Sequence, residues 1–148
     1  MTYSQWKQKS VDKTLSASFN TQNNKVNSKL MGEIDFDMLP NKELYNAIVI
    51  HKHPKIETYF TFSLDDINFF LENKLSELYG FDHKYEYVMK PKEETIYEEI
   101  HKNEYDSICY EIHDGNNCVE ISDEILYHLV VKGISERYNF IYERKLRT

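Results

Sequence analysis

An apolar run that ends in a histidine pair, Ile48-Val49-Ile50-His51-Lys52-His53-Pro54, limits what the middle of this chain can be. Strand side chains alternate between faces, so His51 and His53 fall on the same side of an extended segment. Nine residues after Pro54 stands Ser63-Leu64-Asp65-Asp66, followed by apolar residues at helical spacing. Serine at a helix N-cap with an acid three residues on is the pattern of a capping box. If the helix start folds back on the strand end, two imidazoles and the Asp66 carboxylate meet. Two neutral imidazoles, one carboxylate and an open fourth position suit catalytic zinc.

Around this motif the pattern is that of a small α/β (α+β) domain. Leu15, Ala17 and Phe19 alternate as a strand, residues 20–24 are turn chemistry, and a second strand over 26–31 completes an N-terminal hairpin. Tyr45 to His51 is the clearest strand. Ile67, Phe70, Leu71, Leu75 and Leu78 form a helical stripe that Gly80 ends. Tyr85, Tyr87 and Met89 alternate as a strand closed by Pro91. Beyond it the spacing predicts mostly helix: residues 93–111 with a break near Asn103, a turn at 114–117, a short strand at 118–121, and a last helix capped by Ser122 or Asp123 that carries Ile125 to Ile134. The expected organisation is one domain over 1–148, with a core at about 12–90 and a helical C-terminal extension over 91–148.

Composition narrows the function classes. At 148 residues the chain is long enough to bury a core, and four glycines and three prolines argue against a linker-rich chain. A formal charge of -7 disfavours direct nucleic-acid binding, which needs a basic surface. The two cysteines, Cys109 and Cys118, lack a Cys-x-x-Cys spacing and are expected as reduced thiols of a cytoplasmic protein. The N-terminus has no apolar signal core and no run approaches membrane-spanning length.

His-x-His-Pro, a spacer and Ser-x-x-Asp together resemble the signature of the JAMM (JAB/MPN) metalloprotease superfamily. The likeness is closest to the compact bacterial and phage versions related to RadC-like domains, in which Phe62-Ser63-Leu64-Asp65-Asp66 stands as the helix-opening element. It covers roughly residues 12–90. The resemblance implies a curved mixed sheet flanked by helices, and Zn2+ held by His51, His53 and Asp66. It also implies Ser63 supporting the oxyanion, and hydrolysis of a peptide or isopeptide bond in a protein or peptide substrate. Family enzymes carry a glutamate on an early strand as general base. Here no glutamate precedes Glu33, so Glu33 and Asp12 are the two candidates, and Lys52 stands where an asparagine is common. His83, His101, His113 and His128 lack ligand spacing and are read as structural or surface residues.

Two other function classes stay open at the level of sequence. A member without its base would serve as a protein-binding module of phage or mobile-element origin. An acidic inhibitor would instead block the basic groove of a nucleic-acid-binding protein, which requires carboxylates spread over one surface.

Overall fold

Val49 and Ile50 follow one another in strand β2 (Ile48–Lys52), and both are buried, at 0% and 2% exposure. Consecutive strand residues face opposite ways, so β2 is covered on both faces and must lie inside a sheet. The computed structural model bears this out. It describes residues 15–19, 48–52, 60–115 and 121–147, with the backbone alone at 15–19, His51 and Lys52. Five strands form one sheet in the order β1-β2-β3-β4-β5: β1 (Leu15–Phe19), β2, β3 (Glu77–Phe81), β4 (Tyr85–Pro91) and β5 (Phe140–Leu146). All neighbours are antiparallel except β2 and β3, which are parallel. A parallel pair needs a crossover, and helix α1 (Leu64–Glu72) supplies it.

Helix α1 is shorter than its apolar stripe predicts. Leu75 and Leu78 are in phase with it, yet both lie beyond its end, and Leu78 belongs to β3. The stop is a Schellman motif: Lys74 takes a left-handed φ of 48°, its N–H bonds to the Leu71 carbonyl, and the Leu75 N–H bonds to Phe70. The Asn73 side chain also donates to the Phe69 carbonyl at 3.1 Å. Leu75 and Leu78 are fully buried all the same, reached through a turn and a strand instead of a helix.

The C-terminal third is not an added helical extension. Helix α2 (Lys102–Gly115) begins later than the expected 93–111, because residues 92–100 bond to tertiary partners. Asn68 clamps both backbone groups of Ile100, at 2.9 and 2.8 Å, the Ile96 N–H bonds to the Tyr138 carbonyl, and the Thr95 hydroxyl donates to Asn139. Helix α3 (Asp123–Tyr138) ends at Asn139, whose left-handed φ of 58° turns the chain directly into β5. β5 then pairs with β4 along its length, from Tyr85↔Leu146 to Pro91↔Phe140. Val130, Val131, Ile134, Phe140 and Tyr142 share one core with Val49, Ile67, Phe70 and Leu78. The result is a small mixed sheet flanked by three helices among the described residues. The strands expected at 26–31 and 118–121 lie outside the described residues, apart from Ile121, which is in no strand.

Candidate functional site

Register places His51 in a row that runs across the sheet: Ser16, His51, Gly80, Tyr87 and Arg144 are successive partners. The next row on the same face is Val49, Leu78, Met89 and Tyr142, all part of the buried core. The histidine position therefore belongs to the helix-covered face of the sheet. Beside it, Gly80 has no side chain for a reason. A Cβ there would stand 2.2 Å from Tyr87 Cε2 and 2.8 Å from Phe62 Cε1. The two rings meet edge to face with centroids 4.8 Å apart, filling the space above Gly80.

The helix start is built as its sequence predicts. The Ser63 hydroxyl accepts the Asp66 N–H at 3.2 Å, and Asp66 Oδ2 accepts the Ser63 N–H at 2.9 Å. Asp66 is 1% exposed, so its carboxylate is held inside the protein at a helix N-terminus. It reaches the sheet electrostatically. Burial first, then the Asp82 and Asp66 carboxylates, push the Tyr87 phenol well above its ordinary pKa. The Tyr87 hydroxyl donates to Asp82 Oδ2 at 3.2 Å, while Asp82 Oδ1 accepts the backbone N–H groups of Lys84 and Tyr85 in the β3–β4 turn.

Of the residues that the sequence singles out, the structure places Ser63 and Asp66 together, and sets the His51 position on the face where α1 packs. His53, Glu33 and Asp12 lie outside the described residues. Among the described residues no three His, Cys, Asp or Glu side chains cluster around one point. By residue type, one carboxylate and two imidazoles would suit zinc; of these the structure describes the Asp66 side chain, which is buried. His83, His101 and His113 are exposed. The Cys109 thiol is pushed up by burial, which disfavours a thiolate nucleophile.

The segment leading into Ser63 is anchored by residues that sequence patterns did not single out. Arg144 Nη1 donates to the Phe60 carbonyl at 3.0 Å and to the Glu124 carbonyl at 2.9 Å, with its guanidinium 4.0 Å from the centre of the Tyr85 ring. Phe60 adopts a φ of 60°, costly for an aromatic residue and held by these contacts. Thr61 Oγ1 lies 2.6 Å from the Tyr142 hydroxyl, which in turn lies 2.8 Å from His128 Nδ1. No family model, no curated protein and no solved structure matches the chain.

Proposed function

We propose that the protein is a zinc-dependent hydrolase of the JAMM type that cleaves a peptide or isopeptide bond. The observation that carries this reading is Asp66: a buried carboxylate in the first turn of the helix that crosses from the His-x-His strand to its parallel neighbour. In open sheets, ligands bind at the carboxyl ends of parallel strands, and the His-x-His motif stands at that end of β2. His51, His53 and Asp66 would hold the metal, which when bound supplies a polarised water and a Lewis acid for the scissile carbonyl. Ser63 accepts the Asp66 N–H, so its hydroxyl keeps its own proton to donate to a developing oxyanion. The general base is Glu33 or Asp12. The acidic-inhibitor reading would need unpaired carboxylates along one surface; Glu77, Glu86, Glu111 and Glu124 pair with lysine or arginine, while Glu93, Glu94, Glu98 and Glu99 are exposed.

The test is hydrolysis of linear and isopeptide-linked protein fusions by zinc-loaded protein. Turnover that is lost with a chelator, with Asp66→Asn and with one of Glu33→Gln or Asp12→Asn supports the reading. A folded, zinc-loaded protein inert on both bond types favours the protein-binding module instead.

A further inference from the structure

Next to Ser63 the surface opens into a cleft of about 480 Å³ whose walls come from all three helices. Leu64 and Asp65 at the start of α1 form one side, and Tyr127 of α3 contributes another. The third wall is a single face of α2, because Lys102, Tyr105, Asp106 and Cys109 follow the i, i+3, i+4, i+7 spacing. Leu64, Tyr105 and Cys109 pack against the buried core, so the floor is apolar. The rim is charged and unbalanced. Asp106 is held by Lys102 at 3.1 Å, whereas Asp65 is exposed and has no ion-pair partner among the described residues.

We infer that this cleft receives an arginine side chain of the polypeptide cut at the site. That the polypeptide is cut here rests on the hydrolase reading; the preference for arginine rests on the cleft itself. An occupant that matches these walls has an apolar stem for Leu64 and the tyrosine rings and a cation for Asp65. Guanidinium meets both demands, since it is planar, weakly hydrated, stacks on aromatic faces and pairs with carboxylates. An ammonium is a compact, strongly hydrated charge and gains less from tyrosine walls. An acidic side chain would meet two carboxylates against one lysine. The cleft borders Ser63, so a side chain seated there leaves its own backbone beside the hydroxyl assigned to the oxyanion.

The test is an amide-resolved NMR titration of the full chain with blocked amino acids: Nα-acetyl-arginine N-methylamide and its norleucine and glutamate counterparts, with free arginine alongside. The arginine amide is expected to shift the amides of Asp65, Tyr105, Cys109 and Tyr127 saturably. Its affinity should fall about two- to fivefold in Asp65→Asn, as for an exposed ion pair, and recover in Asp65→Glu. Asp65 is exposed, so neither variant threatens the fold. Equal binding of the norleucine amide, shifts mapping elsewhere, indifference to Asp65→Asn, or a preference for free arginine over the blocked form would each overturn the inference. Zinc content measured on the same samples reports separately on the hydrolase reading.

Discussion

Replacing Gly80 with alanine puts a methyl group where two buried rings already stand. The new carbon would lie 2.2 Å from Tyr87 Cε2, 2.6 Å from Cδ2 and 2.8 Å from Phe62 Cε1, all far inside van der Waals contact. Relief by a side-chain swing is closed off. Tyr87 is 1% exposed with its hydroxyl tied to Asp82, and Phe62 is fully buried. Overpacking of this kind costs about 3 kcal/mol, the upper end of its range, because both rings must move. For a chain of this size that lowers the melting temperature by about 6–12 °C, at about 2–4 °C per kcal/mol. Gly115→Ala is the control, since nothing lies within 4 Å of its Cβ position at the end of α2. There alanine is expected to be neutral or to stabilise by up to about 1 kcal/mol, through the unfolded chain. Thermal melts followed by near-UV circular dichroism read both. If Gly80→Ala melted within a degree or so of the parent, the close approach of Tyr87 to β3 would be wrong. The row that places His51 beside Gly80 would fall with it.

Other substitutions separate the roles of neighbouring groups. Ser63→Ala should lose about 1 kcal/mol of helix capping in denaturant melts while keeping bound metal. Asp66→Asn keeps an oxygen for the Ser63 N–H but lacks the charge a metal needs, so it should lose metal with a smaller loss of stability. Arg144→Ala removes two charge-assisted bonds and a ring contact, a loss of about 2–4 kcal/mol, and should speed hydrogen exchange at residues 61–66 measured by mass spectrometry. Burial, with Arg144 and Lys132 nearby, holds the His128 imidazole below its usual pKa. The unfolded chain then binds the extra proton first, so this contribution is complete above pH ~6.5 and fades as pH falls below it. His128→Gln should flatten that limb of a stability–pH curve. The limb from Glu124, whose carboxyl is lowered by Lys84 and then Tyr85, lies at more acidic pH and should remain.

The helix-cap half of the motif was legible because its parts are local. A serine with an acid three residues on can cap a helix with no help from elsewhere, and Ser63 and Asp66 do so. Ile48 to His51 form a strand for the same local reason, and Tyr85, Tyr87 and Met89 alternate as read. What failed was decided by helix-end geometry and by distant partners. Leu75 and Leu78 keep helical phase, yet a Schellman turn at Lys74, a residue with no special preference for left-handed φ, sends the chain into β3. Residues 93–101 looked helical by apolar spacing, but Asn68 and Tyr138 offer their backbone better partners, and Asn139 accepts the Thr95 hydroxyl. β5 was missed because Phe140-Ile141-Tyr142 reads as the tail of the preceding helix until Asn139 turns the chain. Gly80 looked like a helix stop. Its reason is the Tyr87 ring, a neighbour across the strands that no pattern in one segment reveals.

On the proposed function, His51, His53 and Asp66 bind one zinc ion. The most direct measurement is metal content by mass spectrometry of protein purified without an affinity tag, on the parent, His53→Ala and Asp66→Asn in parallel. About one zinc per chain is expected in the parent and almost none in either variant, with all three folded by circular dichroism. A folded parent that holds no zinc even after zinc is added, or variants that keep it in full, would contradict the account.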